Sequence, residues 1–144
     1  MTLDRSLHVD FRHRVRFTED VFSPDNATLA NVCSDGIPRR MIAFIDAGVH
    51  QAQPDIGERV ANYLGARAKI GEPVPELKMI EVVSGGEEAK NSNEVYEQVL
   101  VAIDRYGIDR KSFVLAIGGG AVLDAVGLGT TLAHRGVRLI RMPT

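Results

Sequence analysis

One cysteine, Cys33, is all the chain contains, so no internal disulfide can form and a reducing compartment is expected. Charge of one sign is lacking as well: 17 Lys and Arg face 19 Asp and Glu, a net charge of −2. That balance leaves no electrostatic footprint for nucleic acid or an anionic membrane surface. No apolar run reaches membrane-spanning length, and Met1 to Asp10 is polar, unlike a secretory signal. Internal repeats and low-complexity stretches are missing too. A cytoplasmic protein without nucleic-acid or membrane partners is the expectation.

What is present fits one ordinary domain: 144 residues, 44% of them hydrophobic. The most informative stretch runs from Phe113 to Thr144. Phe113 to Ile117 is a continuous apolar run that stops at Gly118-Gly119-Gly120. This is the pattern of a buried parallel strand entering a tight turn. Glycine lacks a Cβ, so a ligand can lie directly against its backbone N–H. The small and apolar residues Ala121, Val122, Leu123, Ala125, Val126 and Leu128 follow as a helix expected to run to Arg135, with Gly136 to stop it. The helix start would aim unpaired N–H groups and a positive dipole end at whatever covers the glycines, which suits a phosphate or pyrophosphate. The spacing Gly-Gly-Gly-x-x-x-Asp is neither the G-x-G-x-x-G fingerprint nor a P-loop. A glycine turn that only packs a helix close to a sheet is the competing reading.

Earlier segments supply the rest of the architecture. Val9, Phe11, Val15 and Phe17 alternate with charged residues, predicting a half-buried strand at the N-terminus. Ala27 to Cys33 reads as a short helix and Met41 to Ile45 as an apolar strand ending at Asp46. Pro54 opens a helix with Ile56, Val60, Tyr63 and Leu64 on one face. Met79 to Val83 is a strand closed by Ser84-Gly85-Gly86. Asn91 or Ser92 would cap a helix burying Val95, Val99, Ile103 and Tyr106, with Gly107 as its stop. Arg138 to Met142 is the last strand. Alternation of strand and helix predicts an α/β fold of the Rossmann-like kind: a three-layer parallel sheet with helices on both faces, preceded by the N-terminal strand. Ligands in such sheets bind beyond the carboxyl ends of the strands. Asp46, the Gly85-Gly86-Glu87 turn and the Gly118–Gly120 turn all fall at that rim, which favours a nucleotide site. His8, His13, His50 and His134 make no metal cluster by spacing.

The blocks Phe44-Ile45-Asp46, Gly86-Glu87-Glu88-Ala89-Lys90, Gly118-Gly-Gly-Ala-Val-Leu-Asp124, His134-Arg135-Gly136 and Met142-Pro143-Thr144 resemble, in order, the N-terminal half of dehydroquinate synthase and its relatives, the sugar phosphate cyclases. The resemblance implies NAD as cofactor. It implies that Asp46 accepts hydrogen bonds from the adenosine ribose, that Glu87 and Lys90 contact the dinucleotide, and that Gly118, Gly119 and Gly120 pack against the pyrophosphate. Asp124 would sit near the nicotinamide, and Thr144 would line the cofactor. Arg135 resembles the arginine that holds the substrate phosphate of a neighbouring subunit, which implies a homodimer. His134 and Arg141 depart from ordinary dehydroquinate synthase and look more like the other cyclases. The substrate would be a sugar phosphate of the DAHP or sedoheptulose 7-phosphate type, closed to a carbocycle with phosphate elimination. A divalent metal, zinc or cobalt, belongs to the family's second domain, whose ligands this chain does not carry. Residues 1–144 are therefore expected to be the N-terminal NAD-binding domain, with no catalytic residue of their own and no turnover alone. A truncated iron-type alcohol or glycerol dehydrogenase, and a stand-alone nucleotide-binding module, are the alternatives.

Overall fold

The structure is a computed structural model that describes residues 3–6, 8, 13–37, 39–86, 89 and 93–144. Four parallel strands form its sheet: β1 (Arg40–Asp46), β2 (Glu76–Val83), β3 (Phe113–Gly118) and β4 (Arg138–Pro143), in the spatial order β2-β1-β3-β4. The helices are α1 (Thr28–Cys33), α2 (Ala47–Ala52), α3 (Ile56–Lys69), α4 (Glu94–Arg105) and α5 (Gly120–Leu132). A short 3-10 turn, Ala133–Arg135, follows α5.

The two central strands are buried on both faces, which is why they read as unbroken apolar runs. Alternate residues divide between two cores. Met41, Ala43 and Ile45 of β1 join Phe113, Leu115 and Ile117 of β3 under α1 and α3. Ile42 and Phe44 join Val114 and Ala116 under α4 and α5. Helices therefore cover both faces, as the alternating pattern predicts. The face of α3 is the expected one: Ile56, Val60, Tyr63 and Leu64 are buried. Tyr63 also ties α1 down, its hydroxyl donating to Asn26 O at 2.7 Å and accepting from Ala30 N at 3.2 Å. On α4, Val95, Val99 and Ile103 are buried as expected, and Gly107 ends the helix at φ +59°. Asn91 and Ser92, expected as its cap, lie outside the described residues; the N-cap position falls on Asn93, whose side chain makes no capping bond.

Two expectations are corrected. The helix after the glycines stops at Leu132 rather than Arg135, because His134 takes φ +48° and breaks the ladder before Gly136, at φ +107°, redirects the chain. At the N-terminus, residues 9–12 lie outside the described residues, and residues 13–17 form no strand. Val15 is 56% and Phe17 99% exposed. Alternation specifies a strand only where a neighbouring strand supplies hydrogen bonds and a surface takes the apolar side; residues 13–17 have neither among the described residues.

Candidate functional site

The strand order reverses between β1 and β3: the chain steps outward from β1 to β2, then returns to the other side for β3 and β4. At such a switch point the connections leave in opposite directions and open a crevice beyond the strand ends. Asp46 ends β1 and Gly118 ends β3, so both stand on this crevice. Residues Ile45 and Ile117 are register partners one step below.

Asp46 is half-buried and serves as N-cap of α2, its Oδ1 accepting from Gly48 N at 2.8 Å. Its Oδ2 also accepts, at 3.4 Å, from Gly119 N across the crevice. Helix α2 was not foreseen; six residues starting at Ala-Gly offer little periodicity. Nor was the part played by Gly48, or by Gly85. A Cβ on Gly85 would come within 2.7 Å of Asp46 Oδ2, and one on Gly118 within 2.5 Å of Asp46 Cβ. Real Cβ atoms do not approach so closely, so both positions must lack one for Asp46 to stand where it does. The Ser84-Gly85-Gly86 stop after a strand was the signal that could have singled out Gly85.

Gly119 and Gly120 differ from these two. A Cβ on Gly119 would meet only Asp46 Oδ2, at 3.8 Å, and one on Gly120 nothing within 4 Å. Open space thus lies over the start of α5. Leu123 N is the first amide of α5 to find a backbone acceptor, Gly119 O at 3.0 Å. The amides of Gly120, Ala121 and Val122 precede the ladder and have no intrahelical partner. Thr144 joins the same edge, its N–H donating to Gly118 O at 3.3 Å. Asp46, Gly118, Gly119, Gly120 and Thr144 are thereby brought together.

Asp124, which the resemblance places near the nicotinamide, stands in the second turn of α5. Its side chain is 80% exposed and pairs with Arg141 Nη1 at 3.5 Å. Helix α5 is not buried all round, since Leu128 and Leu132 are also exposed. Arg135 lies in the turn beyond the far end of α5, roughly 20 Å from its start at 1.5 Å per residue. Glu87 and Lys90 lie outside the described residues. An open depression of about 610 Å³, lined by Asp104, Asp109, Arg110 and His134 among others, contains none of the residues assembled at the crevice. Among the described residues no group of three His, Cys, Asp or Glu is placed to hold a metal ion, and no helix is long and apolar enough to cross a membrane.

A parallel sheet with a carboxylate and a glycine turn at its switch point defines a nucleotide-binding type of α/β domain. Comparison with known proteins narrows this. The family model for the 3-dehydroquinate synthase N-terminal region matches residues 80–144. The 2-epi-5-epi-valiolone synthase of Streptomyces glaucescens is 33% identical over 133 residues, 92% of this chain and 31% of that protein. The structure of ValA, a 2-epi-5-epi-valiolone synthase from Streptomyces hygroscopicus subsp. jinggangensis 5008 with NAD+ and Zn2+ bound, superposes with a TM-score of 0.62 at 29% identity. That superposition covers 95% of this chain and 35% of ValA. A 2-deoxy-scyllo-inosose synthase complexed with carbaglucose-6-phosphate, NAD+ and Co2+ gives 0.58 at 25% identity, over 81% of this chain and 29% of that one. Over most of its length the chain is similar to dehydroquinate synthase-like sugar phosphate cyclases, and it spans about a third of the length of these relatives. The proteins matched here are cyclases, which favours that reading over an iron-type dehydrogenase.

Proposed function

We propose that residues 1–144 are the NAD-binding N-terminal domain of a metal-dependent cyclase, a carbon–oxygen lyase that converts a sugar phosphate to a carbocycle with loss of phosphate. The observation that carries this is the meeting of Asp46, the Gly118–Gly120 turn and Thr144 at the β1/β3 switch point. Open space above Gly120 and the free amides at the start of α5 fit a pyrophosphate. The Asp46 carboxylate already receives two N–H groups and keeps lone pairs for ribose hydroxyls. Thr144 would line the cofactor, Glu87 and Lys90 would contact it, and Asp124 would reach the nicotinamide side after parting from Arg141. In the two cyclase structures named above NAD+ is bound together with Zn2+ or Co2+. NAD supplies a reversible hydride acceptor; the residues here bind and orient it. Among the described residues no group of three His, Cys, Asp or Glu is placed to hold such a metal. The same reading gives a cytoplasmic homodimer in which Arg135 serves the neighbouring subunit's phosphate site, with no nucleic-acid or membrane partner. Match over most of the chain to a valiolone synthase, together with Arg141, favours a substrate other than that of dehydroquinate synthase itself.

Titration with NAD or ADP-ribose, followed by amide NMR, tests the reading. Expected are shifts at Asp46, Gly119, Gly120 and Ala121, with affinity for the 144-residue chain in the high micromolar to millimolar range, about −4 to −6 kcal/mol. Unchanged spectra at saturating ligand would refute it.

A further inference from the structure

We propose that Asp46, besides facing the cofactor, is the positioning residue of the whole crevice: its carboxylate clamps the three strand-to-helix turns into register before any ligand arrives. The inference rests on the function proposed above and concerns how that site is built. Two hydrogen bonds and two tight clearances, from three turns, converge on this one side chain. Oδ1 takes the Gly48 amide of the turn after β1, at 2.8 Å, and Oδ2 takes the Gly119 amide of the turn after β3, at 3.4 Å. Gly85, in the turn after β2, lies so close that a Cβ there would stand 2.7 Å from Oδ2 and 2.8 Å from Cγ. Gly118 is equally close, but to the Asp46 Cβ, at 2.5 Å. The two glycines are thus required for different reasons. Gly85 makes room for the carboxylate; Gly118 makes room for the stem of the side chain. Since Gly119 N would otherwise be free to turn away from α5, the carboxylate also fixes the direction of the amides that a pyrophosphate would meet.

A mutant cycle separates these roles without ligand. Gly85→Ala should lower the thermal midpoint by roughly 5–10 °C, the scale of an overpacked contact in a domain of this size. In an Asp46→Ala background the same substitution should cost nothing further, because the oxygens it meets are gone. Gly118→Ala should remain harmful beside Asp46→Ala, where the Cβ persists, and be eased but not abolished by Asp46→Gly, because Gly118 also holds φ +159°, which L residues rarely adopt. The Gly119 amide proton should shift upfield and exchange faster in Gly85→Ala, an effect across two strands that a purely local need for glycine would not produce. Asp46→Asn should recover the midpoint through the Gly48 bond. Should Gly85→Ala fail to fold alone, the Asp46→Ala, Gly85→Ala double variant should fold. An equal loss from Gly85→Ala in both backgrounds, or an unmoved Gly119 amide, would overturn the clamp. Failure of ADP-ribose to bind the unaltered protein would instead count against the proposed function and leave the clamp standing.

Discussion

At the scale of single residues, Asp46 and Cys33 carry opposite lessons about burial. Asp46 is half-buried at an edge where its charge is solvated and hydrogen-bonded, so it can discriminate between ligands. A carboxylate facing the adenosine ribose repels a 2′-phosphate, and NAD should be preferred over NADP. Asp46→Ser is expected to narrow the preference by roughly tenfold, about 1.4 kcal/mol, in parallel titrations of the two cofactors; equal binding of both by the unaltered protein would contradict the assignment. Cys33, the last residue of α1, is 1% exposed in the core it shares with β1. Burial pushes its thiol from 9.0 up to about 12, against the weaker opposing pull of the Arg138 charge. Below pH 9 the thiol is neutral both folded and unfolded, so its favourable burial is fully present. Between about pH 9 and 12 only the unfolded chain ionises, and stability falls by about 1.4 kcal/mol per pH unit, on the order of 4 kcal/mol in all. Urea denaturation of the natural protein against Cys33→Ala, from pH 8.5 upward, should show this extra slope in the natural protein alone.

Among elements, the pairing of α4 with α5 depends on a missing side chain. A Cβ on Gly129 of α5 would lie 2.8 Å from both the Tyr96 carbonyl oxygen and Val99 Cβ of α4. One of these is backbone and cannot rotate away. Gly129→Ala gains helix propensity of about 1 kcal/mol but forces the helices apart at about 1–3 kcal/mol, so a net destabilisation is expected. Gly65, inside α3, has nothing within 4 Å of its would-be Cβ, and Gly65→Ala should stabilise by about 0.5–1 kcal/mol. Chemical denaturation of the two variants should therefore give opposite signs. The same elements show what could be read beforehand. The faces of α3 and α4 and the strands β1 and β3 follow from periodicity, because burial imposes it directly. Helix α2 does not, being short and held by the Asp46 cap rather than by an apolar face.

For the whole molecule, the question is which surfaces are left to be covered. Val101 on α4 and Leu128 and Leu132 on α5 are exposed, and among the described residues β2 is an edge strand with Val82 43% exposed. Exposed apolar surface and an unpaired strand edge both favour association, and a net charge of −2 opposes it little. We expect a dimer or larger assembly, resting on these surfaces rather than on residues 13–17, which present no strand. Light scattering over a concentration series should show mass rising above 15.7 kDa, and a constant monomer mass into the micromolar range would refute it.

The sequence by itself determined the α/β class, the order of its four strands and of helices α1, α3, α4 and α5 along the chain, the two-faced core, and the Gly-Gly-Gly-x-x-x-Asp turn with Asp46 at a strand end. These are local: each follows from apolar spacing, or from a residue type whose backbone freedom or charge has one economical use. Tertiary structure alone decided that β1 and β3 are neighbours, and hence that Asp46 reaches the Gly119 amide seventy-three residues away. It decided that Gly85 and Gly118 are needed to make room for one side chain, that Asp124 points to solvent beside Arg141, and that residues 13–17 form no strand. The physical reason is common to all four. Periodicity records how much of a residue is buried, whereas strand neighbours, atomic clearance and the availability of a pairing edge depend on segments brought together only when the sheet assembles.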